Sequence, residues 1–167
     1  VPVKQVYFDA NIFIEMVEEN ANSAGPLLVD LFTANTEGRP ASICTSELTL
    51  AEVLTGAFKQ KNEHLIQTSE NIFTPGGYLA IHLIERLLLR EAAALRAKYT
   101  SLKLPDAIHL TTAIAHGCSY FLTSDTRIKG EFDHLDAFLG IKGKTPLQIM
   151  RPTEAPLINL IAESSNG

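Results

Sequence analysis

The chain has no tryptophan, only two cysteines and few aromatics, 7% of its 167 residues. Each scarcity excludes something. Cys44 and Cys118 stand in separate apolar runs, with no CxxC and no histidine at zinc spacing. A disulfide framework and a zinc site are therefore not expected, and both thiols are read as reduced core residues of a cytoplasmic protein. No apolar run reaches the roughly 18–20 residues of a membrane span. The longest, 81–89 and 107–115, are broken by His82, Glu85, Arg86 and His109. The start, Val1-Pro2-Val3-Lys4, carries no apolar h-region, so no secretory leader is expected. The absent Met is read as a processed or trimmed terminus. Positive charge is also short: 14 Lys and Arg face 19 Asp and Glu, a formal net charge of −5. That argues against a general basic clamp for nucleic acid. The aromatics are not interleaved with basic residues, so no stacking platform for single strands is indicated. Phosphate-loop, GxGxxG and GxSxG motifs are missing. The five histidines, at 64, 82, 109, 116 and 134, form no HExxH pattern, and His109 and His116 are read as ordinary helix residues.

What is present is a soluble globular composition, 46% apolar and 20% charged, of a size for one domain. Strand-like and helix-like patterns alternate. Residues 3–8 read as a short buried strand, with a helix over 12–19 and a second over 27–35 after Gly25-Pro26. A strand at 41–45 precedes a helix from 47 to about 59, with apolar positions Leu50, Val53, Leu54, Ala57 and Phe58. Helical 62–71, a strand at 78–83 and a helix over 84–99 follow, the last with Leu87, Leu88, Ala92 and Leu95 on one side. Pro105 opens a helix that runs to about His116-Gly117, before a strand at 118–122. Loop and helix are expected over 126–138, and a last strand at 147–151. Strands separated by helices imply right-handed crossovers, and so one three-layer α/β domain with a parallel sheet covered on both faces.

Carboxylates stand where such a sheet binds ligands, beyond the carboxyl ends of strands. Asp9 follows the first strand directly, and Asp125 follows the strand at 118–122 through Thr123-Ser124. Both would also serve as helix caps. Asp106 lies in the first turn of the helix opened by Pro105, where the helix dipole alone would favour it. Its apolar neighbours Ala107, Ile108 and Leu110 place it near the sheet rather than in open solvent. Glu47 and Glu52 share one helix, and periodicity does not choose between them. With no other chemistry in view, an oxygen-donor site for a hard cation such as Mg²⁺ or Mn²⁺ remains. Setting four such carboxylates aside leaves 14 basic against 15 acidic side chains, so the charge deficit does not exclude a nucleic-acid substrate.

The segments Val6-Tyr7-Phe8-Asp9-Ala10-Asn11-Ile12-Phe13-Ile14, Thr49-Leu50-Ala51-Glu52-Val53-Leu54-Thr55-Gly56, Leu104-Pro105-Asp106-Ala107-Ile108-His109-Leu110 and Phe121-Leu122-Thr123-Ser124-Asp125 resemble, in that order, a PIN domain. The likeness is nearest to VapC-like toxins of toxin–antitoxin pairs, and Arg96-Ala97-Lys98-Tyr99 strengthens it. It runs from about residue 3 to 151, so a PIN-like domain is placed at 1–151. Residues 152–167 are a C-terminal extension, expected to pack and then fray at Ser164-Ser165-Asn166-Gly167. One departure is Ala10, where many relatives carry Thr.

The resemblance implies a three-layer α/β/α fold with a mainly parallel sheet of about five strands and an acidic site at its carboxyl edge. It selects Glu52 over Glu47 and implies Asp9, Glu52, Asp106 and Asp125 as catalytic and metal-binding residues. Asn11, Ser46 and Thr123 would orient them, and Arg127, Lys129 and then Lys103 would contact RNA phosphates. The implied activity is Mg²⁺- or Mn²⁺-dependent endoribonuclease hydrolysis of phosphodiesters, with water as nucleophile. The implied partners are an RNA substrate, a VapB-like antitoxin that inserts an Arg among the carboxylates, and a second copy of the chain; no membrane is expected. Helices 62–71 and 84–99 are candidate dimer surfaces, a plain core role being the alternative. Two rivals remain: an idle PIN-like module that binds RNA or protein, and a phosphatase of the haloacid-dehalogenase type with Asp9 as nucleophile. The latter would need an Asp where Asn11 stands.

Overall fold

Val6, Tyr7 and Phe8 are buried whichever way they point, the mark of a strand covered on both faces. They form β1 (Val6–Phe8), the centre of a sheet with β2 (Ile43–Ser46), β3 (Ala80–His82), β4 (Tyr120–Leu122) and β5 (Gln148–Met150). In the computed structural model, which describes residues 4–17, 24–34, 43–74, 79–129 and 146–165, the five strands pair in parallel in the order β3-β2-β1-β4-β5. Residue 7 stands beside 44 and 121, and residue 8 beside 122.

Helices α1 (Ala10–Val17), α2 (Ala24–Ala34), α3 (Glu47–Gln60), α4 (Glu63–Ile72), α5 (Arg86–Lys98), α6 (Leu104–Ala115) and α7 (Glu154–Ser165) complete the described chain. The alternation of β side chains divides the interior in two. Tyr7, Cys44 and Phe121 pack against α5 and α6 through Ala92, Leu95, Leu110 and Ala113. Val6, Phe8, Ile43 and Leu122 pack on the other side against Ile12, Phe13, Leu28, Leu31 and Val53. The three layers and the parallel sheet are those read from the sequence.

Local chemistry sets the element ends. Pro105 sits in the first turn of α6, and Gly117, at φ 73°, turns the chain back towards β4. Asn62 caps α4 by accepting from Leu65 N at 3.1 Å. Four expectations need correction or placing. Phe58 and Leu87 are exposed; the buried face of α3 is Thr49, Val53 and Ala57, and that of α5 is Leu88, Ala92 and Leu95. Residues 154–165 form α7, which lies against α2 and puts Leu157 and Leu160 into the second core. The part of 126–138 from residue 130 onward, and residues 166–167 of the expected frayed end, lie outside the described residues. Cys44 and Cys118 are free and buried, with sulfurs 3.1 Å apart.

The strand order matters most for function. From β1 the chain adds β2 and β3 on one side, then crosses to add β4 and β5 on the other. The crevice between the carboxyl ends of β1 and β4 is therefore the topological switch point, where open α/β sheets bind ligands.

Candidate active site

Asp9 leaves β1 directly into this crevice, 6% exposed, and its backbone N–H donates to Leu122 O across the gap at 3.1 Å. Its carboxylate is held by three donors. Oδ1 accepts from Ala10 N at 2.8 Å, while Oδ2 accepts from Asn11 Nδ2 at 2.8 Å and from the Thr123 hydroxyl at 2.6 Å. The Thr123 oxygen in turn accepts from Asn11 Nδ2 and from Asp125 N, both at 3.0 Å. Asn11 Oδ1 accepts from Ser124 N at 2.9 Å. Asn11 and Thr123 thus lock the end of β1 to the loop that follows β4, and every polar atom in the lock is used.

Asp125 lies on that loop. Its carboxylate accepts from Arg127 N at 2.9 Å and from Arg127 Nε at 2.9 and 3.0 Å, and it also pairs with Arg127 Nη2. The guanidinium holds the Asp125 carboxyl below its usual range. Asp106, in the first turn of α6, is half-buried, with the Lys103 backbone near enough to favour its charge. Burial first, and then the negative charges of Asp9 and Asp125, raise its carboxyl above the ordinary value. The three aspartates therefore share one electrostatic neighbourhood.

Glu52 reaches the crevice from α3, with its Oε2 2.7 Å from His109 Nε2. His109 Nε2 is also 4.0 Å from Asp9 Oδ1. Behind it, Nδ1 lies 2.8 Å from the Tyr7 hydroxyl, which is 2.9 Å from Ser46 Oγ. Ser46 supports the site through Tyr7 and His109 rather than by touching a carboxylate. His109 is no ordinary helix residue: it is 1% exposed and central to the site. One signal could have found it, since it stands three residues after Asp106 and so on the same face of α6. Asp9 likewise stands two positions after Tyr7, just past the end of β1. Glu15, on α1 one turn beyond Asn11, pairs with the Ser124 hydroxyl at the rim of the crevice. Arg151, after β5, donates to the carbonyls of Thr123, Asp125 and Ile128. Of the basic residues expected to meet phosphate, Arg127 is exposed and paired with Asp125, and exposed Lys103 lies near enough to favour the Asp125 charge. Lys129 is exposed, and no described contact joins it to the carboxylates.

The donor set suits a hard divalent cation: all four acids offer oxygen, and Asp106 is crowded by like charge. As they stand, no three His, Cys, Asp or Glu side chains among the described residues converge to ligating distance. Arg127 pairs with both Asp125 oxygens, and His109 with Glu52.

The crowding predicts a stability effect. The raised Asp106 carboxyl binds its proton more tightly in the folded than in the unfolded chain, so stability falls as pH rises through the folded value. Above the folded value that loss is complete. Asp106→Asn should therefore raise the melting temperature of metal-free protein near pH 7, and the gain should vanish at pH values below the ordinary value of 3.8. Thermal unfolding across pH checks this; an unchanged or lower melting temperature at pH 7 would contradict it.

An acidic crevice at the switch point of a five-stranded parallel sheet places the protein among α/β proteins with a carboxylate site at the carboxyl edge. The chain belongs to the PIN domain family, whose model matches residues 6–135. In solved structures, a chain of a toxin–antitoxin complex from Klebsiella pneumoniae is 27% identical, covering 90% of this chain and 99% of that one, with a TM-score of 0.56. VapC20 of Mycobacterium tuberculosis, described as a sarcin-ricin loop cleaving toxin, shares the fold at 12% identity, 73% and 91% coverage and a TM-score of 0.61. So does a chain of Rickettsia felis VapBC2 bound to a promoter DNA fragment, at 20% identity, 87% and 97% coverage and a TM-score of 0.57. No curated protein matches the chain in sequence. Among the described residues, no helix is long and apolar enough to cross a membrane.

Proposed function

We propose that the protein is a metal-dependent endoribonuclease and the VapC-like toxin of a toxin–antitoxin pair. The observation that carries this reading is the placing of Asp9, Asp106 and Asp125 around one switch-point crevice, with Asp9 and the Asp125 backbone joined through the Thr123 hydroxyl and both charges felt by Asp106. The toxin–antitoxin context of the Klebsiella relative, at 27% identity over nearly its whole length, supports it.

In this reading Asp9, Asp106 and Asp125 hold Mg²⁺ or Mn²⁺, with Glu52 placed to complete the set or to orient the attacking water. Bound there, the cation would acidify water and stabilise charge on the attacked phosphate. The protein's own groups do the rest. Asn11 and Thr123 fix the Asp9 carboxylate, and the loop held by Arg151 presents Asp125. No side-chain nucleophile is required, so cleavage should leave a 5′-phosphate and a 3′-hydroxyl. A VapB-like antitoxin would quench the site with an arginine, which pairs bidentately with carboxylates as Arg127 already does in cis. Homodimerisation is part of the proposal, with Leu87 and Leu89 exposed on α5.

The experiment is to incubate purified, partner-free protein with total RNA and Mg²⁺ or Mn²⁺, beside an EDTA control, and to map fragment ends. Discrete cuts lost in EDTA support the proposal; equal cleavage in excess EDTA sinks it. The Arg127–Asp125 pair favours a second reading, a PIN module that binds without cutting. Absence of cleavage from metal-loaded protein would select that one.

Substrate capture gives a separate test. Arg127→Glu combined with Lys129→Glu should weaken RNA binding and flatten the dependence of log affinity on log salt by roughly 1.4–1.8, two phosphate contacts being lost. Binding that keeps its wild-type salt slope would remove both residues from the RNA path.

A further inference from the structure

His109 is a buried ionisable group at the crevice to which the proposed chemistry gives no task. It is 1% exposed, and its ring is held from both ends. Nδ1 meets the Tyr7 hydroxyl at 2.8 Å, and the Tyr7 ring stacks on Phe121 at 5.3 Å with a 5° interplanar angle. Nε2 meets Glu52 Oε2 at 2.7 Å. With Nε2 carrying the ring proton, the imidazole donates to Glu52 and Nδ1 is left to accept from Tyr7. Glu52 needs such a partner. Asp9 is fixed by three donors and Asp125 by a braced loop, whereas Glu52 is a long, one-third exposed side chain on a helix face. Among the described residues, the bond to His109 is the one side-chain hydrogen bond Glu52 makes.

We propose that His109 is a positioning residue that aims Glu52 into the acidic crevice, anchored from behind by Tyr7 and Ser46. The proposal rests on the nuclease reading above. A partner of this kind typically changes metal affinity or activity by about 10–100-fold when removed. Two substitutions separate aiming from packing. In His109→Gln the amide nitrogen can occupy the place of Nε2 and still donate to Glu52. In His109→Asn the shorter amide stays near Tyr7 and cannot reach Glu52.

The test measures Mn²⁺ affinity by calorimetry, RNA cleavage kinetics and metal-free thermal unfolding for wild type and both variants. His109→Asn should weaken Mn²⁺ binding and lower kcat by about tenfold or more, with KM for RNA unchanged. His109→Gln should recover most of both losses. Adding His109→Asn to Glu52→Gln should cost nothing further, because the two act as one unit. A His109→Asn variant that binds Mn²⁺ and cleaves as wild type overturns the proposal. So does a His109→Gln variant as impaired as His109→Asn, since the loss would then be one of packing, visible in the unfolding temperature. If wild type neither binds Mn²⁺ nor cleaves, the nuclease reading itself fails and this inference falls with it. A competent wild type with an unaffected His109→Asn refutes the inference alone.

Discussion

Asp9→Asn should reduce RNA cleavage by more than about a hundredfold, since a metal site contributes several kcal/mol of transition-state stabilisation and each 1.36 kcal/mol is tenfold in rate. It should also lower stability by about 1–3 kcal/mol, the cost of a buried polar group left without its partner. The second effect follows from the contacts. Asp9 receives three donors: Ala10 N on one oxygen, Asn11 Nδ2 and the Thr123 hydroxyl on the other. An asparagine has one acceptor oxygen. If that oxygen faces Asn11 and Thr123, its own NH₂ faces the Ala10 N–H. The reverse orientation sets NH₂ against two donors, of which only the Thr123 hydroxyl can turn away. This outcome is opposite to that of Asp106→Asn, where a crowded charge is removed. The pair therefore distinguishes two acids that the same activity assay would merge. Paired measurements of cleavage and thermal unfolding check it. An Asp9→Asn variant that still cleaves would remove Asp9 from the chemistry, and one as stable as wild type would show that the three-donor cradle is not held in solution.

Much of this was legible in the sequence because the signals were local. Strand-like runs of five or six residues separated by helical patterns implied the parallel sheet, and Asp9 lies directly after β1 and Asp125 three residues after the end of β4. Asn11 and Thr123 sit within two residues of those acids, so their partnership needed only the two strands to be neighbours. Glu52 was different. On a helical wheel it lay opposite the apolar stripe, and Glu47 was an equal choice until the resemblance decided. The structure shows why periodicity failed: the inner face of α3 carries Thr49, and Glu52 turns towards a buried histidine on another helix. The same limit hid His109. A helix whose residues 107–114 are all buried has no polar face to mark a functional one, so the histidine looked like one more interior residue. Arg151 was hidden for a third reason, since its partners are backbone carbonyls 23 to 28 positions away, and no residue type advertises those.

Arg151 leads to the second large effect. Its guanidinium donates to Thr123 O at 3.0 Å, to Asp125 O at 2.8 Å and to Ile128 O. Ile128 N closes the loop by donating to Asp125 O at 3.1 Å, and the Ile128 side chain is buried in the core beside Leu147. One partly buried cation thus braces the whole turn that presents Asp125. Arg151→Ala should cost about 1.5–3 kcal/mol, the worth of a charge-assisted hydrogen bond, because water can reach some of the released carbonyls. For a domain of this size that is a fall of roughly 3–12 °C in melting temperature. Cleavage should fall further than stability alone explains, since a misplacement of about 1 Å in a catalytic group can cost a hundredfold. Arg151→Lys should restore only part of either loss: an ammonium is a point charge, and it cannot span three carbonyls as the planar fork does. Melting curves and cleavage rates for the two variants, measured under conditions where both are fully folded, decide the matter. Full activity in a folded Arg151→Ala would mean that the Asp9–Thr123–Asn11 lock alone sets the position of Asp125, and that the brace from β5 serves the fold and not the site.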